Sequence, residues 1–531
     1  MAVISCSKSN LNLNKIDEDN LHKYIKEISS DKYLGRAPGT KGGELTKDFL
    51  INQFKEFSLM PLNDQFLLEV PLVEIEMEKE STVSILFNKK NLSLRQGKEI
   101  VFWTKRLENN IQINSSELIF VGYGIVAPEY DWNDYKDLDM KGKIAVVLIN
   151  DPGYATQNEN LFNGKSMTYY GRWVYKYEEA ARQGADGVII IHDTKPAAYP
   201  WQVVETSWSG KQIDLDRRSS KIKKVKMESW IQFETANKLF ENSGLDFQKL
   251  SKEAASNKFS PIKMANLSLN ANLINTFKFK KSHNLAAIKR GNSKPEEYIL
   301  MMAHWDHLGV KEFGEDKIYN GAVDNATGVA GVLELAETLK DYEVERSLMF
   351  LFVTAEESGL LGSEHFSENP PVDLSNIVAG FNFDAIHPIG KVKDVIVVGH
   401  GASELEDLLA SKLKKYNKYI KPDPFPEKGY FYRSDHISLA KKGVPVLYAD
   451  GGLDKVEGGV TEGEKIANLY TKNNYHQPTD EYDQNWDLSG FAEHLEITKE
   501  MVLQLANSTS WPNWYEGNEF KNIRDLSRKS N

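Results

Sequence analysis

From Asn284 to about Asp450 the chain alternates apolar runs with polar breaks. The runs "YILMMA", "SLMFLFVTA", "NIVAGFNFD", "DVIVVG" and "VPVLYAD" are short, rich in β-branched residues or methionine, and bounded by Gly, Asp or Pro, which predicts strands. Between the first two, Val329, Val332, Leu333, Ala336 and Leu339 form one stripe at helical spacing. Alternating strand and helix predicts an α/β fold with a mixed, largely parallel central sheet covered by helices on both faces. Ligands of such sheets bind beyond the carboxyl ends of the strands.

The pattern differs upstream. Residues 16–62 show helical spacing, with Leu21, Tyr24 and Ile25, then Leu45, Phe49, Leu50 and Phe54, on either side of the Gly/Pro-rich "SDKYLGRAPGTKGG". Residues 69–117 alternate in short runs that suggest strands and turns. From Leu118, "ELIFVGYGI", "KIAVVLIN" and "ADGVIIIHD" enclose the amphipathic "WVYKYEEAARQG", a second α/β module. The expected division is a flexible tether over 1–15, a discontinuous main domain over 16–115 and 271–510, an inserted domain over 116–270, and a peripheral tail over 511–531.

Length and charge narrow the classes. At 531 residues the chain exceeds what one core usually supports, in keeping with two domains. No apolar run approaches the roughly 18 residues that cross a bilayer. A formal charge of −11 argues against nucleic acid, whose binding draws on basic patches. The lone cysteine, Cys6, excludes thiolate metal cages. Its context "VISC" resembles the end of a bacterial lipoprotein signal, which would make Cys6 a lipid anchor and place the protein in the cell envelope, in the periplasm or outside the cell.

Chemistry collects at the strand ends. "YILMMA" runs into His304 with Asp306 two residues on, "SLMFLFVTA" into Glu356 and Glu357, and "NIVAGFNF" into Asp384. Adjacent carboxylates at a strand end repel unless a cation or proton compensates them. Asp324 precedes the predicted helix, where it either caps the helix or joins the other acids. His476 lies in the loop "NNYHQPTDEYD" with Asp480 as a candidate orienting carboxylate. Together these imidazole and carboxylate groups form the donor set that zinc, manganese or cobalt accepts.

In order and spacing, "AHWDHLG", "NGAVDNATG", "TAEESGLLGSEHF", "FNFDA" and "YHQPTDEYD" resemble the co-catalytic dizinc peptidase family that contains aminopeptidase Y, bacterial leucyl aminopeptidases and glutamate carboxypeptidase II. The resemblance implies the zinc exopeptidase fold and two zinc ions per chain. His304 and Asp384 would hold one ion, Glu357 and His476 the other, and Asp324 both. Glu356 would be the general base and Asp306 the carboxylate behind His304; His307 receives no ligand role. Tyr432 or His436 would contact substrate or the oxyanion. "GYGIVAPEYDWNDYKDLDMKGKIAVVL" and "EAARQGADGVIII" resemble the protease-associated domain inserted in that family. One departure is Val323, where many relatives carry an acid.

The implied activity is removal of an N-terminal residue from peptides with a free amino terminus. The same scaffold also carries carboxypeptidases, for which Arg433 would be a candidate contact, glutaminyl cyclases with a single zinc, and relatives that have lost their metal ligands and only bind partners.

Overall fold

The strand Arg346–Val353 is buried at all eight positions. That explains the absence of alternation in its sequence, since both faces of a strand between helical layers must be apolar. In the computed structural model, which describes residues 15–529 apart from 89, 209 and 313, this strand pairs in parallel with Lys294–His304. Ile377–Asn382 and then Val446–Gly451 extend the sheet in the same direction. On its other side it meets Leu285–Lys289 in antiparallel register. The sheet is mixed, with a parallel centre. Cys6 and the tether lie outside the described residues.

Successive residues divide between two cores. Ile299, Met301, Ala303, Leu348, Phe350 and Phe352 pack on one face with helices Glu18–Ile28, Gly328–Leu339 and Ser489–Ala506. Leu300, Met302, Met349, Leu351 and Val353 pack on the other with Phe366 and Leu439. Each large side chain so buried contributes about 1.5–3 kcal/mol. Helix Glu18–Ile28 turns Leu21, Tyr24, Ile25 and Ile28 inward, and Asp17 caps it by accepting the Asp19 N–H.

A second sheet surrounds Ile144–Leu148 and Gly187–His192, which pair in parallel, and the predicted amphipathic helix is Trp173–Arg182. This sheet reaches further upstream than the 116–270 division anticipates. Thr82–Phe87, Lys90–Leu94, Ile100–Trp103 and Asn110–Phe120 all pair within it. Only Leu67–Met77 of that stretch belongs to the main sheet, where it pairs with Leu285–Asn275. The short runs of 69–117 do not reveal which sheet they join, because either offers a half-buried face. The 28-residue strand Ile262–Lys289 passes through both sheets.

The second unit is fastened to the main one by ion pairs and a backbone bond. Arg217 reaches Glu364 and Glu368, each at 2.7 Å, Lys441 meets Glu178 at 3.0 Å, and the Met167 N–H donates to the Pro426 carbonyl at 3.1 Å. The C-terminal stretch, expected as a peripheral tail, is docked instead. Trp514 and Phe520 are buried, and the buried Arg524 donates to the carbonyls of Ile377 and Val378. Two aromatic anchors and an arginine meeting free strand-start carbonyls give this polar segment a fixed seat.

Candidate metal centre

His304 is the last residue of its strand. Glu356 and Glu357 follow Arg346–Val353 after two residues, and Asp384 stands two residues beyond Asn382. The turns that aim these side chains use left-handed backbone at Ala355 (φ +54), Ala385 (φ +54) and His476 (φ +56). Non-glycine residues rarely adopt this conformation, and strain of that kind collects at functional sites. Asp324 lies in the irregular bend before helix Gly328–Leu339. It does not cap that helix. Asn325 does, its Oδ1 accepting the Gly328 N–H at 3.0 Å, which leaves the Asp324 carboxylate free to face the cluster.

The predicted ligands converge. His304 Nε2 lies 3.4 Å from Asp324 Oδ1 and 3.3 Å from Asp384 Oδ1. His476 Nε2 lies 3.2 Å from Asp324 Oδ2 and 3.1 Å from Glu357 Oε2. Asp324 therefore presents one oxygen to each half of the cluster. Zinc bonds of about 2.0–2.2 Å in tetrahedral arrangement set neighbouring ligand atoms about 3.3–3.5 Å apart. The two His304 separations fall in that range and the two His476 separations lie just below it; the oxygen and imidazole donor set also suits a metal.

The electrostatics point the same way. Burial works against the charged form of His476, but Glu357 and Asp324 outweigh it and lift the imidazole to about 10. Burial likewise works against His304, yet the charge of Glu356 and the contacts with Asp324 and Asp384 hold it well above its ordinary range. Burial and Asp324 push Glu357 up, while His307 and His476 bring it down to about 2. Carboxylates here outnumber imidazoles, and the cluster draws in positive charge.

Residues 284–502 match the family model described as Peptidase family M28. Over that stretch the chain is similar to M28 peptidases. Aminopeptidase YwaD of Bacillus subtilis (strain 168) is 31% identical over 269 residues, 50% of this chain and 44% of that protein. A probable zinc metalloprotease of Pyrenophora tritici-repentis (strain Pt-1C-BFP) is 30% identical over 102 residues, 19% of this chain and 24% of the other. The matched segments thus span less than half the length of these curated relatives. An aminopeptidase from Aneurinibacillus sp. strain AM-1 shares the fold, with a TM-score of 0.51 at 19% identity over 94% of this chain and 96% of that one.

Around this cluster the structure adds residues that sequence alone does not single out. The Arg36 guanidinium is 1% exposed and donates to the carbonyls of Trp305 at 3.0 Å, Ile28 at 3.1 Å, Asn320 at 2.5 Å and Gly321 at 2.9 Å. It braces both loops that carry His304 and Asp324, and burial lowers it to about 10. Its only signal was an arginine inside a Gly/Pro-rich loop. Ser434 Oγ donates to Asp384 Oδ2 at 2.5 Å and accepts from Asn382 at 2.7 Å. Beside it, burial pushes Asp435 up to about 7.

Expectations for four residues change in detail. Asp480 does not orient His476; its carboxylate accepts the backbone N–H groups of Val323 and Asp324 and the Tyr470 hydroxyl. Asp306 does face His304 Nδ1, but the nearer atom is its own backbone carbonyl at 3.2 Å, with the carboxylate at 3.9 Å; that carboxylate accepts the Glu356 N–H at 3.1 Å. Tyr432 donates its hydroxyl to Glu519 at 2.8 Å, which turns it toward the docked C-terminal stretch. His436 is fully buried against Phe431 and Tyr448, and burial lowers it to about 3. Packed so, it is a core residue.

Proposed function

We propose that the chain is a dizinc aminopeptidase that hydrolyses the N-terminal peptide bond of peptides. The observation that carries this reading is the Asp324 carboxylate, one oxygen turned to His304 and the other to His476. His304 and Asp384 would hold one ion, Glu357 and His476 the second. Bound zinc would polarise the scissile carbonyl and acidify a water. Glu356 is left outside both ligand sets. Burial, reinforced by Glu357, Asp384 and Asp435 and opposed by His304, raises its carboxyl well above the usual range. With cations in the two ligand sets favouring its ionised form, the Glu356 carboxylate would take a proton from the attacking water and hold it for the leaving amine. The second unit, seated on the 426–441 region, serves as the protease-associated insert that narrows access.

Replacing Glu356 with Ala tests the base. Turnover of aminoacyl substrates should fall by about 10²–10⁴-fold while zinc content stays at two per chain; retained turnover would remove Glu356 from that role. Peptides with free and with blocked amino termini test the polarity, since only the free ones should be cut.

A second reading is release of an acidic C-terminal residue. Arg433 is exposed and Arg172 of the second unit is lowered to about 10 by burial and by Arg433 nearby; among the described residues neither arginine has a carboxylate partner within ion-pair distance. Cleavage of blocked peptides ending in Glu or Asp would favour it. A glutaminyl cyclase should take up a single zinc, so the metal count separates that activity.

A further inference from the structure

The cluster contains a third imidazole that neither half needs. His307 is 1% exposed, with Nδ1 2.5 Å from Glu357 Oε1 and its ring centroid 5.8 Å from that of His476. The ring packs against the chain at Gly321, where a Cβ would stand 2.5 Å from His307 Cδ2 and 2.7 Å from Cγ, as well as 2.2 Å from the Asp324 carbonyl oxygen. Gly321, at φ +56, thus supplies the space that the imidazole fills.

His307 lies within ligand reach of Asp324 and Glu357, and its approach to Glu357 is what sets it apart. The four ligand pairs stand 3.1–3.4 Å apart, close to the spacing across an ion bound to both atoms. His307 and Glu357 are closer, at 2.5 Å, which leaves room for a shared proton and none for a metal. Glu357 Oε1 is therefore occupied by His307, and only Oε2, 3.1 Å from His476 Nε2, faces the ion's position. Without that bond the carboxylate could rotate about its last torsion, or offer both oxygens.

We propose that His307 is a positioning residue for the second ion: its Nδ1–H holds Glu357 as a one-oxygen ligand opposite His476 and so sets the affinity of that half of the centre. The proposal rests on the dizinc reading. Hydrogen-bond partners of metal ligands typically account for about 10–100-fold in affinity, and the effect here should fall on one ion alone.

The test is zinc titration of metal-free protein against a competing chromophoric chelator, for wild type and for His307→Ala, His307→Asn and His307→Gln. Wild type should take up two ions; uptake of one or none overturns the dizinc reading and this one with it. His307→Ala should weaken one ion about 10–100-fold and leave the other unchanged. An Asn amide places its N–H where Nδ1 stands, whereas Gln carries it one methylene further. Asn should therefore restore most of the affinity and Gln should not. If Ala lowers the melting temperature of the metal-free protein, the Asn and Gln pair decides, since both keep a polar group of similar bulk. Equal weakening of both ions, no weakening in any variant, or Gln matching Asn would overturn the proposal.

Discussion

The two halves of the metal centre are built from different material. His304 and Asp384 stand at or just past strand ends, with side chains 1% and 13% exposed. His476 projects from a loop at φ +56 and its side chain is 36% exposed. The first half inherits its geometry from the sheet, whose neighbours fix each strand end within the core. The second takes buried Glu357 from just past the strand Arg346–Val353 but its histidine from a loop outside the sheet. On the dizinc reading proposed above, the ion beside His476 would be the less firmly held, because its ligand hangs on the more exposed backbone.

Asp324 belongs to both halves, so its replacement should erase the distinction. Asp324→Ala is expected to lose both ions and to lower activity by on the order of 10⁴-fold, the scale for removing a member of a catalytic unit. Zinc analysis of the purified variant checks it, and retention of one ion would show that the halves are independent.

Arg36→Met attacks the frame common to the loops of His304 and Asp324. Four carbonyls lose their donor, and at about 1–3 kcal/mol for a buried group left unpaired, denaturant unfolding should show a loss of roughly 3 kcal/mol or more. If stability holds and only zinc affinity falls, the arginine is a local brace of the centre.

Beneath the strand-borne half, His494 packs edge-on against Phe383 at 6.4 Å and burial lowers it to about 4. A depressed folded value means the unfolded chain takes up the proton first. The stability this residue contributes is complete above about 6.5, the unfolded value, and is lost as pH falls toward 4. Wild type should lose up to about 1.4 kcal/mol per pH unit from this group across that window. His494→Gln should flatten the slope by up to one proton, measured by urea unfolding at a series of pH values.

The smallest effect is expected of Tyr470→Phe. It removes one hydrogen bond to Asp480, the carboxylate that holds the Val323 and Asp324 N–H groups, and at about 1 kcal/mol should weaken the two ions alike by roughly fivefold. Zinc titration reads it. A change confined to the His476 half would break the symmetry assigned to Asp324.

What could be read in the sequence followed local rules. His304, Glu356, Glu357 and Asp384 were legible because each ends a run of buried residues, where a polar group needs a reason. Asp324 was ambiguous, since a residue before a helix satisfies the capping pattern as well as the ligand pattern; the structure splits the two tasks between Asp324 and Asn325. Arg36 was not legible because its partners are carbonyls of residues 28, 305, 320 and 321, and backbone carbonyls leave no trace in residue identity. Asp480 was assigned to the wrong partner for a similar reason. It lies four residues from His476, but its hydrogen bonds run to the chain around residue 323. The strands between 82 and 115, expected in the main domain, pair in the second sheet, because alternation reports burial without saying against what.

The strand Ile262–Lys289 carries one more consequence. At about 3.4 Å per residue it is up to roughly 90 Å of continuous pleated chain, and its partner changes from Asn110 at Ile274 to Met77 at Asn275. The other chain crossing is laced to it at the same level, with the Glu78 N–H donating to the Ile274 carbonyl at 2.8 Å and the Ile274 N–H to Ser81 Oγ at 3.0 Å. The two units are spliced like timbers in a beam, with the joint inside one unbroken strand. Torque on one is handed to the other without slack, and neither can be trimmed away at a convenient linker.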